Sequence, residues 1–407
     1  SGQIGAGGQG NPSDNHVSDV SVTAGGDIAL DGGDGNTAYA QIGMGGNGAD
    51  GDMDSNITVT SNGGSVTVDA GNGDNAVAKI GNGGAGADGE MTGFIDVKAD
   101  TFIRVAGSDS TTGTGGFAMI GHGGITYAGD LGDADDFIRV NAGTSVEVLG
   151  GAKDNSFAMI GHGGLNNTGS PTVNSTIEVT AGTDVTVRGG ASTTTDDAYA
   201  MIGHGGAQMT STTDSAIRVD ARNGTLTVAG GGGVNTTANF AQVGHGGHEV
   251  EGAQGGVIVV LANAIDLVSG PTPESYAQIG HGGFEDDANT DGVLSGNIFV
   301  NFDPNANGGV GAVVGGSGNI ILNSTGGSTD AFTQIGHGGR DREGTITGNI
   351  LIGKAANVEL LGGGTRAYAQ IGHGGAGSAG FSAPVAKSGN ITRLETAAVT
   401  VTGGSGP

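Results

Sequence analysis

The chain has 407 residues, 90 of them glycine, with no cysteine, and it carries a formal net charge of −27. The absence of cysteine excludes a disulfide framework and a thiolate metal site. The excess of acids opposes binding to nucleic acid and to anionic membranes. No apolar run approaches the length of a membrane-spanning segment, so we expect neither a nucleic-acid partner nor membrane insertion.

One eight-residue phrase, Phe/Tyr-Ala-x-Ile-Gly-His-Gly-Gly, recurs about ten times between the two ends of the chain. Its isoleucine, replaced once by valine, returns every 36 to 42 residues, with a single gap of 56. A period of this size is typical of solenoids, in which each unit buries its apolar face against its neighbours. We therefore predict one repetitive domain over residues 1–407 with a core column of motif residues: Ile4, Ile42, Ile80, Ile120, Ile160, Ile202, Val243, Ile279, Ile335 and Ile371.

Each unit contains three short strand signals separated by turns rich in Gly, Asn and Asp. In the second unit they lie at residues 57–59, 66–68 and 77–80. Alternating β-branched residues bounded by turn formers predict half-buried strands. We therefore predict an all-β fold, a parallel β-helix or β-solenoid of about ten repeats of ~40 residues with three strands each. Either one large rung or two smaller rungs per repeat fits this period.

The two faces of the motif strand differ in composition. Alternate residues share a face, so Ala and Ile lie on one face, and the aromatic residue and the following Gln or Met lie on the other. Lys79 occupies the Gln position once, and a lysine is costly to bury without a partner. We therefore expect this second face to point outward. Its Tyr/Phe stripe would either stabilise the sheet by stacking or form a lateral packing surface between rods.

The single long gap contains residues 301–316. This segment interrupts an otherwise regular repeat, and it begins with the turn-forming run Asn301-Phe302-Asp303-Pro304. We expect an insertion or an extra strand pair there.

The two ends of the sequence are in phase with the repeat. The last strand signal contains Val399 and Val401, and the motif strand expected next is supplied by Gln3 and Ile4 at the start. Neither end has a polar cap, and open strand edges recruit other chains. We therefore expect these four residues to form polymerisation ends of a head-to-tail homopolymer, or to be the ends of a segment of a longer shaft.

Seven of the nine histidines occupy one motif position, so stacked rungs would align them in a ladder. Neutral imidazoles could bind Zn, Cu or Ni; alternatively, each histidine bonds to the backbone of its own turn. Such a ladder should titrate at low pH because like charges would stack. Its members are His122, His162, His204, His245, His281, His337 and His373.

Acidic clusters fall in the turns. Residues 45–50 and 83–88 match the Gly-Gly-x-Gly-x-Asp phrase of calcium-binding β-rolls, although they lie 38 residues apart rather than in tandem. Weak Ca²⁺ binding is one interpretation, ordinary turn formation is the other, and we expect no required cofactor. The candidate ligands are Asp50, Asp52, Asp88, Asp133, Asp135, Asp286 and Asp287.

Catalytic motifs are absent from the sequence. No nucleophile elbow, phosphate loop or isolated carboxylate pair stands apart from the repeat. We therefore predict that the protein is not an enzyme.

The motif phrase, set among Val-x-Val strands and Gly/Asn/Asp turns, resembles the repeat regions of filamentous-haemagglutinin-like large exoproteins of bacteria. The resemblance implies a right-handed parallel β-helix shaft, secretion to the cell surface or the biofilm matrix, and a structural or adhesive role. The first hypothesis for function is therefore an extracellular fibre subunit that polymerises head to tail. The alternatives are a shaft segment of a long secreted adhesin, and a metal-binding array built from the histidine ladder or the acidic turns.

Overall fold

The computed structural model describes residues 1–7, 15–167, 171–191, 197–233, 237–284, 292–342, 344–377, 386–392 and 395–404. Within these residues nearly all regular structure is strand, and the one helix has four residues. Neighbouring strands of the solenoid are parallel, and each motif strand pairs with the motif strand of the next repeat, as Ile42 does with Ile80. The predicted all-β parallel solenoid is therefore confirmed, and each repeat forms one turn.

The motif strands form a ten-stranded sheet along one side of the rod. At ordinary strand spacing the ten strands span roughly 45 Å. This motif sheet consists of Gly2–Ile4, Tyr39–Ile42, Val77–Ile80, Ala118–Ile120, Ala158–Ile160, Ala200–Ile202, Ala241–Val243, Ala277–Ile279, Thr333–Ile335 and Ala369–Ile371.

Two long faces carry the other predicted strands, and two strands bend around the corner to serve both faces. The first long face consists of Val20–Ala24, Ile57–Ser61, Ile95–Ala99, Phe137–Ala142, Thr176–Ala181, Ile217–Ala229, Ile258–Val268, Ile298–Val300, Ile350–Ile352 and Ile391–Thr392. The second consists of Ile28–Asp31, Val66–Asp69, Ile103–Ala106, Val146–Leu149, Val185–Arg188, the same two shared strands, Ile320–Asn323, Asn357–Leu361 and Ala398–Thr402.

Two further columns of short strands complete many rungs, so those rungs have five strands where three were predicted. The glycine sheet, which follows the Gly-His-Gly-Gly turn, consists of Gly123–Ile125, Gly163–Leu165, Gly205–Thr210, Gly246–Glu251, Gly282–Phe284 and Gly338–Arg340. The corner strands, which lead into the first long face, are His16–Val17, Met53–Asp54, Met91–Thr92, Thr213–Asp214, Gln254–Gly255, Leu294–Ser295, Ile346–Thr347 and Lys387–Ser388.

The main core fills the space between the motif sheet and the two long faces. Alternate Val and Ile residues of the long faces point into it, as Ile177 and Val179 do, and meet the motif Ala and Ile residues. Of the core column, the eight residues from Ile42 to Ile335 are at most 3% exposed, whereas Ile4 in the first rung is 51% exposed. Each rung therefore buries its neighbours, as expected of a solenoid.

The other face of the motif strands is also buried, so the prediction of an exposed aromatic stripe is wrong. The aromatic and Gln/Met positions form a second core between the motif sheet and the glycine sheet. Phe157 and Met159 are fully buried there, and so is the lysine on which the prediction rested, Lys79 at 1% exposure. The chain folds back after each Gly-Gly pair, and glycine lets this covering layer approach closely. Lateral packing through the Tyr/Phe stripe is therefore excluded in this fold.

The long gap contains a hairpin that leaves the solenoid. Phe302–Asp303 and Ala312–Val313 pair antiparallel on either side of the helix Ala306–Gly309. The Asp303 carboxylate accepts a hydrogen bond of 2.9 Å from the Arg218 guanidinium, which lies two rungs away. The hairpin therefore lies along the outside of the first long face and leaves the rung stacking unbroken.

Candidate functional site: the histidine and glutamine columns

The Gly-His-Gly-Gly turn follows each motif strand and sets how closely the rungs stack. Gly203 has a φ of +157°, and a Cβ there would lie 1.8 Å from the carbonyl oxygen of Gly244 in the next rung. No side chain fits that distance, so this position requires glycine. The close approach places the residue after this glycine directly above its counterpart in the next repeat.

The seven motif histidines form the predicted ladder. Their rings stack with centroids 4.6–5.0 Å apart. The backbone N–H groups of Asn82 and of the first six histidines each donate to the Nδ1 atom of the histidine in the next rung, at 2.9–3.1 Å. The imidazole thus replaces the carbonyl that an ordinary parallel sheet would offer.

The other ring nitrogen completes the arrangement. In six of the seven histidines, Nε2 lies 2.7–3.0 Å from a backbone carbonyl oxygen at the corner, such as that of Ser175 beside His204. Since Nδ1 accepts a hydrogen bond, the proton of a neutral ring is on Nε2, which donates to that carbonyl. Each of these histidines therefore joins two rungs and also crosses the main core.

Burial keeps the ladder neutral. Desolvation lowers the pKa of His122 to about 3 and the pKa values of His204 and His281 to about 4. The pKa of His162 lies well below its usual value, because of burial first and neighbouring imidazoles second. A protonated ring would also turn its Nδ1–H toward a backbone N–H. The rings are therefore structural acceptors at neutral pH.

The column begins before the first histidine. The N–H of Ala6 donates to the Met44 sulfur at 3.1 Å, and the N–H of Met44 donates to Asn82 Oδ1 at 3.0 Å. Asn82 Nδ2 in turn donates to the carbonyl of Thr92 at 3.0 Å. Asparagine thus performs both functions of the histidine, acceptor toward one rung and donor toward the corner. This equivalence is not predictable from the sequence, because Met44 and Asn82 are unlike His122 in chemistry.

This bonding bears on the hypothesis of a metal array. In six of the seven histidines, a metal ion would have to displace a backbone hydrogen bond at either ring nitrogen. Among the described residues, no group of three or more His, Cys, Asp or Glu side chains could hold a metal ion. The geometry thus favours the other interpretation, histidines bonded to backbone.

The glutamine column runs beside the histidine ladder, inside the second core. Gln278 Nε2 donates to the carbonyls of Gly336 and Gly338 in the next rung, at 2.9 and 2.8 Å. Gln41, Gln242 and Gln334 make the same pair of contacts one rung onward.

Lys79 occupies this column, and no carboxylate of the described residues pairs with it. Its ammonium group contacts the carbonyls of Asn82 and Gly123 instead. Burial holds the pKa of this lysine well below its usual value. The turn is therefore lined with carbonyl oxygens that accept from whichever donor the column provides.

The aromatic column stacks next to the glutamines. From Phe117 to Tyr368 seven rings lie nearly parallel, with neighbouring centroids 4.8–4.9 Å apart. Two hydroxyls find partners inside the second core: Tyr199 donates to the Gly164 carbonyl at 2.7 Å, and Tyr276 donates to Gln242 Oε1 at 3.3 Å. Stacked rings of this kind stabilise each rung contact by about 1 kcal/mol beyond burial.

The second core becomes charged toward the later repeats. His248 is only 6% exposed and bonds to the Asp197 carboxylate at 3.0 Å, and Arg340 pairs with Asp330 at 3.0 Å. Burial alone would lower the pKa of His248, but the hydrogen bond and charge of Asp197 outweigh it and raise the pKa to about 9. Sequence analysis missed this pair, because its partners are 51 residues apart and match no motif.

The candidate calcium ligands lie on exposed turns. Asp50 and Asp88 pair as backbone neighbours, and Asp52 Oδ1 accepts from the N–H of Glu90 at 3.1 Å. Asp133 and Asp135 are also exposed, whereas Asp286 and Asp287 lie outside the described residues. Of these, Asp52 thus acts as a backbone-bonding turn residue, and the described geometry assembles no ion site from the set.

The residues predicted as polymerisation ends lie on the two end rungs. Val399 is 53% and Val401 70% exposed on the last rung. On the first rung, Ile4 is half exposed and Gln3 donates to Gly45 in the second rung at 2.8 Å. Apolar side chains of the core type are therefore open to solvent at both ends of the described rod.

Comparison with known proteins adds no relative. No protein-family model matches the chain, and neither a curated protein nor a solved structure matches it. In the described part of the chain, no helix has the length and hydropathy needed to cross a membrane.

Proposed function

We propose that this chain is a structural fibre subunit, a rod that adds length and stiffness to a bacterial cell-surface or biofilm-matrix filament. In this proposal copies stack head to tail, each end rung docking on the opposite end rung of the next copy. The role is mechanical and not enzymatic. The extracellular setting follows from the resemblance of the repeats to bacterial large exoproteins.

The observation that carries the proposal is the continuity of the ten-stranded motif sheet through the rod. The motif sheet, the histidine ladder and the aromatic stack repeat from rung to rung in one register. The same register would place Ile371 of one copy next to Ile4 of another, as Ile335 lies next to Ile371 within the chain. An additional rung is therefore the natural partner of either end.

The composition of the chain also supports a role as a fibre subunit. The outer surface carries most of the net charge of −27, which keeps a rod soluble and opposes sideways aggregation. The stacked aromatic residues from Phe117 to Phe332 are internal, so association is directed to the end rungs. Growth along the axis gives a filament.

Electron microscopy of the purified 407-residue chain tests this proposal. We expect unbranched filaments, one rung-stack wide, that lengthen with protein concentration. Their axial repeat should be about ten rungs per subunit, or roughly 48 Å. Isolated rods at every concentration, with and without added Ca²⁺, would contradict the proposal and favour a segment of a longer shaft.

A further inference from the structure

Lys387 occupies an unusual place on the last rung. It pairs in register with Ile346, and its side chain lies over Gly374 as the Met53 side chain lies over Gly45. This is the inward corner position, which holds buried neutral residues in other rungs: the apolar Met53, Met91, Leu294 and Ile346, and the polar Thr213 and Gln254. In the last rung the position is exposed, so the ammonium group is in contact with water.

The end faces are complementary in shape and apolar character. The C-terminal face, made by the last rung, presents Val399 and Val401. The N-terminal face, made by the first rung, has a cavity of about 280 Å³ lined in part by Ile28 and Leu30. Continued register would align these two pairs of residues, because second-face strands pair through such positions along the rod.

The two end regions of the sequence are also opposite in net charge. The first 78 residues contain ten aspartates and neither lysine nor arginine. Residues 354–407 contain four basic and two acidic residues. Opposite charges accelerate encounters between unlike ends, and like charges oppose contact between two N-terminal ends.

We propose that Lys387 is a charged gate, meaning that its positive charge opposes the docking of a second copy at the C-terminal face. Docking would enclose its ammonium group at a position opposite His16 of the incoming copy, where every internal rung has a neutral side chain. Burying an unpaired ammonium group opposes association, and an inward-pointing charge is one means by which proteins block an open edge. The surrounding charges thus favour encounter, while Lys387 limits the affinity.

The proposal rests on the end-to-end assembly of the proposed function, and two substitutions separate the two. Lys387→Met removes the charge and restores the methionine found in this column at Met53. Lys354→Met removes an equal charge from another exposed residue of the same end region. Circular dichroism spectra of all three proteins would establish that each is folded.

The measurement is the critical concentration for filament formation, obtained by sedimentation at low and moderate salt. We expect Lys387→Met to lower it roughly tenfold, the change that corresponds to about 1.4 kcal/mol. Lys354→Met should leave it unchanged or raise it about twofold, because only steering is lost. Of two equal charge deletions, only Lys387→Met should thus lower the critical concentration.

The outcomes distinguish the two proposals. Wild-type filaments with no gain from Lys387→Met would overturn the gate and leave the fibre intact. Filaments from Lys387→Met alone would support the gate and overturn spontaneous polymerisation of the wild-type chain. If neither protein assembles at any salt concentration, the fibre proposal fails and the gate fails with it.

Discussion

The glutamine column changes its chemistry between two regions of the rod, whereas the histidine column beside it remains an acceptor throughout. In the later rungs Gln242, Gln278 and Gln334 donate to glycine carbonyls. In the middle rungs Met119 and Met159 occupy the same register and have no proton to donate. The backbone around both regions nevertheless follows one path.

The difference reflects the unequal cost of leaving a backbone donor or acceptor unpaired. A buried N–H without an acceptor is very rare in proteins, whereas a carbonyl with spare lone pairs is better tolerated. The ladder provides acceptors for N–H groups, and it does so with sulfur, oxygen or nitrogen at Met44, Asn82 and His122. The glutamine column provides donors for carbonyls. In three consecutive rungs, those of Met119, Met159 and Met201, this donor is absent and the fold continues unbroken.

The largest effect should come from removing the close approach on which both columns depend. Gly203→Ala places a methyl group against the Gly244 carbonyl, and we expect a loss of at least about 4 kcal/mol in unfolding free energy, or no folding. Gly48→Ala is the control, since its Cβ would meet nothing within 4 Å at a φ of +68°. It should cost about 1 kcal/mol. Equal losses of unfolding free energy in urea titrations would show that the positive φ alone, and not the contact with Gly244, causes the destabilisation.

Loss of an acceptor in the ladder should be nearly as damaging. His204→Leu leaves the His162 N–H and the Ser175 carbonyl without partners, and we expect a cost of about 4 kcal/mol. His204→Asn should cost only about 1 kcal/mol, because Asn82 already accepts from the Met44 N–H of the preceding rung and donates to the corner carbonyl of Thr92. Denaturant unfolding of the pair measures the difference, and similar losses would contradict the acceptor role.

Acid should destabilise the rod through the same histidines. Their folded pKa values lie below the unfolded value of about 6.5, so the unfolded chain binds more protons as the pH falls. Stability should be intact above pH 6.5 and decline toward about pH 4, by about 3 kcal/mol for each of His122, His204 and His281. His204→Asn should flatten the pH profile of thermal unfolding. An unchanged slope would mean that this ring does not titrate as described.

The smallest effect should be a gain in the methionine region. Met159→Gln gives the Gly203 and Gly205 carbonyls a donor, as Gln278 gives one to the carbonyls of Gly336 and Gly338. We expect about 1 kcal/mol of added stability. Met159→Leu is the matched control, since leucine has no N–H to donate, and it should give no gain. The two melting temperatures would decide, and equal shifts would remove the added donor from the explanation.

The sequence was sufficient to predict what periodicity controls. Three strands per repeat, parallel stacking and the buried Ile160 column follow from β-branched alternation at a fixed spacing. It was insufficient for the second core, because Gly-Gly-Leu at Leu165 is typical of a turn and not of a covering strand. Lys79 then misled the assignment of faces, since its partners are carbonyls of a turn whose shape no pattern records.

The features of the candidate site also fall into those that the sequence predicts and those that it does not. Alignment of the histidines follows from the repeat, and so does their low pKa. Their bond to the preceding rung does not, because it depends on a backbone N–H turned away from ordinary strand pairing. The pairing of Asp197 with His248 depends on contacts between rungs that carry no repeat signal. Periodic features are thus predictable here, and departures from the period are not.

Nitrogen-15 NMR of the histidine side chains tests the central claim, a neutral ladder bonded to backbone, most directly. We predict seven rings with the proton on Nε2 and each Nδ1 coupled across a hydrogen bond to a backbone N–H, and no titration between pH 7 and 5 for the six buried rings from His122 to His337. Rings that protonate near the usual pKa of about 6.5, or that carry the proton on Nδ1, would contradict the account.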